Sequence, residues 1–129
     1  MAKFKIAQGA TFKADVEIPR VGGAFIKVPF EFKYRNRNEL AALFAGWQQR
    51  AKHDQEAFKA KADDLTLVDI TDADIERQVD QVQALVEGWG FEDKLNPESI
   101  RALVETSAGA GEAIVAAYQA AYAPARTGN

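Results

Sequence analysis

The chain has 129 residues, 47% of them hydrophobic, with no cysteine and one histidine. That length suits one domain with a real core, and the composition excludes disulfides, thiolate chemistry, Cys-ligated zinc and sites built from several histidines. The net charge of −3 conceals an uneven distribution: residues 1–61 carry 12 Lys/Arg against 6 Asp/Glu (+6), and residues 62–129 carry 4 against 13 (−9). Such opposed halves fit two solvated surfaces, and equally head-to-tail self-association or the steering of a charged partner.

The N-terminal Met1-Ala2-Lys3-Phe4-Lys5-Ile6 has charge but no apolar run behind it, so no secretory leader is expected. No stretch is long enough to span a membrane, and a soluble cytoplasmic protein is the default expectation. Phe4 and Ile6 alternate with lysines and suggest a short strand. From Thr11 to Ile18, Phe12, Ala14, Val16 and Ile18 alternate with Lys13, Asp15 and Glu17, the two-residue period of a strand with one wet face. Pro19-Arg20-Val21-Gly22-Gly23 reads as a turn. A second run then puts Ala24, Ile26, Val28, Phe30, Phe32 and Tyr34 on one face and Lys27, Glu31, Lys33 and Arg35 on the other. The two runs predict an antiparallel hairpin, with Pro29 at an edge or a bulge because it lacks a donor. A lone two-stranded ribbon is marginal in water, so its apolar face must rest on helices or on another copy.

Asn36-Arg37-Asn38-Glu39 supplies a helix start. Leu40, Leu43, Phe44 and Trp47 form an apolar stripe that thins to Ala51 and Phe58 among polar residues. A helix this polar gains little from packing. Two readings of the stripe stand side by side: it packs beneath the hairpin, or, with Phe58, it forms a partner-facing or self-association surface. Residues 61–71 read as an acidic connector, and Thr71-Asp72-Ala73-Asp74 as the next helix start. Ile75, Val79, Val82, Val86 and Trp89 then share one helical face. Gly88 and Gly90 are expected to end that helix in left-handed conformations, leaving Trp89 and Phe91 inward as a structural corner. Asn96-Pro97-Glu98 starts a short helix bearing Ile100, Leu103 and Val104. A last helix with Ile114, Ala117, Tyr118, Ala121 and Tyr122 on one face ends at Pro124, and the tail 125–129 is expected to fray. The architecture expected is α+β in one domain: a β-hairpin part over residues 1–36, with two or three strands, packed on three to four helices in residues 37–129.

Chemistry is hard to find. His53 lies between Lys52 and Asp54 on the polar helix, and general base work would need a cleft and a partner. Asp63, Asp64, Asp69, Asp72 and Asp74 lack the spacing, glycine and terminal glutamate of a calcium loop. Gly109-Ala110-Gly111 is only a fragment of a dinucleotide fingerprint. The cluster Lys33, Tyr34, Arg35, Arg37 offers a nucleic-acid reading, but Tyr34 falls on the apolar face and the protein is acidic. No catalytic residue, cofactor or metal ligand is nominated.

At Leu85-Val86-Glu87-Gly88-Trp89-Gly90-Phe91, Asn96-Pro97-Glu98, Ile100, Leu103, Ala113-Ile114, Ala117-Tyr118, Ala121, Ala125-Arg126 and Asn129, the chain resembles the tail assembly chaperones of long-tailed bacteriophages. Phe30-Glu31-Phe32-Lys33-Tyr34-Arg35, with Arg37 and Glu39, is similar to the family's N-terminal part, so the resemblance covers residues 24–45 and 82–129. It implies a non-virion factor of siphovirus or prophage origin, acting in the host cell cytoplasm. Such factors coat the helix-rich tape-measure protein, keep it soluble and recruit tail-tube subunits, and some relatives also exist in a frameshift-extended form. It implies no catalytic residues, no nucleic-acid partner and no membrane. At Thr106-Ser107-Ala108-Gly109 the chain departs from relatives that place Pro before the last helix. The alternative reading is a structural minor tail or head–tail joining protein.

Overall fold

The computed structural model describes residues 3–123 and has an α+β fold. In chain order the elements are β1 (Thr11–Pro19), β2 (Phe25–Lys33), α1 (Arg37–Lys61), α2 (Leu67–Leu85), β3 (Val86–Trp89), α3 (Pro97–Thr106) and α4 (Ala110–Ala121), with one 3-10 turn, Ala62–Asp64, between α1 and α2. The proposed stop at Pro124 and the tail 125–129 lie outside the described residues. Two compact units divide the chain. The first joins the residues up to Tyr34 to those from Gln78 onward, and the second is Arg35–Arg77.

In the first unit, β1 and β2 pair without interruption from Thr11↔Lys33 to Pro19↔Phe25. The turn closes with the Arg20 N–H donating to the Ala24 carbonyl at 2.7 Å. Gly22 and Gly23, at φ +93° and +81°, supply the left-handed backbone it needs. The alternation read from the sequence becomes burial: Val16, Ile18, Val28, Phe30 and Phe32 are all at most 5% exposed, while Lys13, Asp15 and Glu17 are exposed.

A third strand exists, but not where Phe4 and Ile6 suggested it. Those side chains are 97% and 101% exposed, and an alternating pattern with nothing to bury against gains little from pairing. The third strand is β3, antiparallel to β2 with the order β1-β2-β3. Consequently α2 ends at Leu85 rather than running to the glycines, and Val86 and Trp89 belong to a strand rather than a helix face. Nor do Gly88 and Gly90 adopt positive φ. Gly90 answers a different demand: a Cβ there would meet Cδ and Cγ of Pro29 at 2.8 Å each. Its N–H donates to the Pro29 carbonyl at 2.8 Å. Pro29 therefore sits in the central strand yet just beyond the paired stretch Phe30↔Trp89 to Phe32↔Val86, where its missing N–H disrupts no ladder.

The aromatic core closes on α4. Tyr118, 0% exposed, meets Phe12 and Phe32 with ring centroids at 5.7 and 5.5 Å. Phe30 and Phe32 stack at 5.8 Å. Fully burying aliphatic or aromatic side chains of this kind contributes about 1.5–3 kcal/mol each. Gln78 of α2 approaches Gly111 of α4 so closely that a Cβ there would meet its Oε1 at 2.3 Å. α3 begins with a reciprocal cap: Asn96 Oδ1 accepts from the Ser99 N–H at 2.8 Å, and Ser99 Oγ accepts from the Asn96 N–H at 3.0 Å. The junction before α4 turns on Gly109 at φ +86°, a left-handed backbone that glycine adopts without a Cβ penalty.

Candidate partner-binding surface

The second unit is organised differently. α1 opens with a capping box in which Asn36 Oδ1 accepts from the Glu39 N–H and Glu39 Oε1 from the Asn36 N–H, both at 2.9 Å. It runs 25 residues with none of them buried. Leu40, Leu43, Phe44 and Trp47 fall on one face at three- and four-residue spacing, each half-buried. Phe44 and Trp47 meet edge to face at 5.3 Å. Further along, Arg50 and Asp54 pair at 3.8 Å, an exposed i,i+4 contact worth about 0.3–0.5 kcal/mol. The His53 side chain is 81% exposed, far from the enclosed setting that acid–base chemistry needs.

The expected connector over residues 61–71 is largely helix. The Thr66 hydroxyl accepts from the Asp69 N–H and an Asp69 carboxylate oxygen from the Thr66 N–H, both at 3.1 Å. This capping box starts α2 at Leu67, ahead of the start expected at Thr71. The Thr66-x-x-Asp69 spacing was the signal for it, masked by the neighbouring acids that cap helices equally well. The Thr66 backbone N–H, then the Lys61 ammonium at 3.1 Å, hold the Asp69 carboxyl below the usual carboxylate range.

Because α2 starts early, Leu67, Val68 and Ile70 are helical side chains, and they stand in water at 78%, 66% and 42% exposure. Ala51, Gln55 and Phe58 of α1 line an open groove of about 340 Å³ with Ile70, Ala73 and Arg77 of α2. No residue from Arg35 to Arg77 is fully buried. Sequence reasoning named Leu40, Leu43, Phe44, Trp47 and Phe58 and missed Leu67, Val68 and Ile70. The structure brings Phe58 and Ile70 to one groove and sets the Phe44–Trp47 pair two or more helical turns along α1 from Phe58.

Trp89 and Phe91, in the sheet unit, are half-buried. Their rings meet edge to face at 5.1 Å and each packs edge-on against Phe30, at 6.1 and 6.2 Å. The Trp89 indole N–H donates to the Asp93 carbonyl at 2.8 Å, pinning the loop after β3. The Tyr34 ring stacks on Tyr122 at 6.1 Å, so that face of it is occupied rather than offered to a base. Among the described residues, no group of three or more His, Asp or Glu is placed to hold a metal ion, and no helix is long and apolar enough to cross a membrane.

A family model described as phage tail assembly chaperone matches residues 1–129, extending the resemblance through the middle of the chain. No curated protein and no solved structure matches it significantly.

Proposed function

The chain belongs to the phage tail assembly chaperone family, and from that premise we propose that it holds the tape-measure protein soluble in the host cytoplasm, helps recruit tail-tube subunits, and is left out of the finished virion. One observation carries this reading: the helical unit Arg35–Arg77 buries no residue fully while presenting Leu67, Val68 and Ile70 to solvent. Amphipathic helices normally hide their apolar stripe in a core, and exposed apolar patches rimmed by charge mark contact sites. A helix-rich client with repeated apolar faces fits such a surface through helix-on-helix packing. Many copies along one elongated client sum weak contacts into a hold that polymerising tube subunits displace copy by copy. Leu40, Leu43, Phe44, Trp47 and Phe58 are the side chains of α1 assigned to the same role, Phe58 sharing a groove with Ile70.

Co-expression with the cognate tape-measure protein tests the reading. The wild-type chain keeps the client in the soluble fraction, and Leu67→Asp with Val68→Asp, or Phe44→Asp, lowers that fraction while circular dichroism of the chaperone is unchanged. Undiminished client solubility in all of these variants removes the helical unit from the binding role. Mass spectrometry of purified particles addresses the rest, since stoichiometric recovery of the chain would make it a structural tail component.

A further inference from the structure

The Trp89–Phe91 corner of the sheet unit borders a pocket of about 190 Å³. Trp89, Phe91 and, from α3, Leu103 give it apolar lining, Arg20 and Asp93 bring charge, and Ser107, the residue after α3, brings a hydroxyl. Ser107 is the one buried residue of that lining, at 7% exposure. Its main chain is satisfied, the N–H donating to the Leu103 carbonyl at 2.9 Å and the carbonyl accepting from the Ala110 N–H at 3.0 Å. The hydroxyl, by contrast, has no hydrogen-bond partner among the described residues. No side-chain nitrogen or oxygen there is both sealed off and unpaired, so this hydroxyl opens into the pocket. A polar group held in an aromatic-walled recess costs free energy until something bonds to it.

Size, lining and charge select the occupant. A cavity of about 150 Å³ accepts a benzene ring, so this pocket takes one aromatic side chain, and it falls short of the roughly 300–1,000 Å³ of sites for drug-sized ligands. Arg20 and Asp93, both exposed, set one charge of each sign at the rim, so no net charge draws an ion inward. Aromatic rings favour offset or edge-on contact with other rings, and the Ser107 hydroxyl calls for a hydrogen-bonding tip. Tyrosine offers both, a neutral ring with a hydroxyl at its far end. Phenylalanine lacks the hydroxyl, and tryptophan carries its N–H on the flank of a larger ring. The chain's own three tyrosines are already engaged: Tyr118 is fully buried, and Tyr34 and Tyr122 stack on each other, so a second copy does not supply the side chain. We propose that this pocket docks a single tyrosine presented by a segment of a different protein, its ring against Trp89, Phe91 and Leu103 and its phenol bonded to the Ser107 hydroxyl. The site uses no residue of the Arg35–Arg77 unit and so stands apart from the helical surface assigned to the client.

Nuclear magnetic resonance of the whole chain tests this with blocked amino acids as probes. The two tryptophans give two indole N–H signals. That of Trp89, which donates to the Asp93 carbonyl beside the pocket, reports on the site, and that of Trp47, in the other unit, is the control. N-acetyltyrosinamide shifts the Trp89 signal saturably and leaves the Trp47 signal in place. N-acetylphenylalaninamide binds about fivefold more weakly, the worth of one hydrogen bond. Ser107→Ala lowers the affinity for the tyrosine probe to that for the phenylalanine probe and leaves the latter unchanged. Ala102→Phe, on an exposed residue of the lining, fills the pocket and abolishes the response to both. A shift that does not saturate or that Trp47 shares, equal affinity for the two probes, or a Ser107→Ala variant that binds tyrosine as before would each overturn the proposal. So would binding of p-cresol, the bare side chain, without binding of N-acetyltyrosinamide, which would make the pocket a small-molecule site with no room for a main chain at its mouth.

Discussion

The phenolic hydroxyl of Tyr118 donates to the main-chain carbonyl of Lys33 at 2.8 Å, tying α4 to the end of β2 across 85 positions of sequence. The same ring is fully buried against Phe12 and Phe32, so one side chain supplies both the last piece of aromatic core and the partner of a carbonyl. Tyr118→Phe keeps the ring and loses the donor, for an expected cost of about 1–2 kcal/mol. Tyr118→Ala also opens a cavity and is expected to cost about 3–5 kcal/mol. Urea denaturation followed by near-ultraviolet circular dichroism measures both, and equal costs would mean that the hydroxyl rather than the ring dominates.

Gly90→Ala and Gly88→Ala form a matched pair. A methyl at position 90 collides with the Pro29 ring at 2.8 Å, whereas at position 88 the nearest atom is the side-chain Glu31 Oε1 at 3.4 Å, an ordinary van der Waals distance. Gly90→Ala should destabilise by about 1–3 kcal/mol through overpacking, and Gly88→Ala by under about 1 kcal/mol. Thermal melts of the two variants side by side check the order.

The start of α2 should respond to acid. Asp69 has its carboxyl pKa lowered from 3.8, first by the Thr66 backbone N–H and then by Lys61. A depressed folded-state value means that its contribution is complete above 3.8 and is lost as pH falls through the lowered value. Amide exchange at Leu67–Ile70 should therefore quicken below that point. Asp69→Asn should give faster exchange already at neutral pH and remove the acid step.

Leu67→Asp with Val68→Asp should leave global stability within about 0.5 kcal/mol, since exposed positions rarely matter to folding. The same pair should lower the soluble fraction of a co-expressed tape-measure protein. Stability and client solubility falling together would instead assign these side chains to packing.

The α+β architecture and the β1–β2 hairpin were legible because alternation at period two survives into burial almost residue for residue, from Phe12 to Ile18 and from Val28 to Phe32. The helix caps at Asn36 and Asn96 were legible because capping is local chemistry. β3 was not. Four residues, Val86–Trp89, show too little period to distinguish a strand from the end of a helix, and only the waiting edge of β2 decides it. The demand on Gly90 was invisible for the same reason, since it comes from Pro29, far away in sequence. Among the client-facing candidates, the Leu40–Trp47 stripe was found by its spacing. Leu67, Val68 and Ile70 were lost once their helix was read as a linker.

The sheet unit is assembled from two stretches of chain separated by the whole of Arg35–Arg77. During synthesis, which releases the N-terminal part first, the β-hairpin leaves the ribosome long before β3 can flank it or Tyr118 can cap its aromatic rings. Until then β3 and α4 are not there to cover its apolar side, while α1 of the inserted unit is already complete. The nascent chain thus completes α1 before its own aromatic core is sealed.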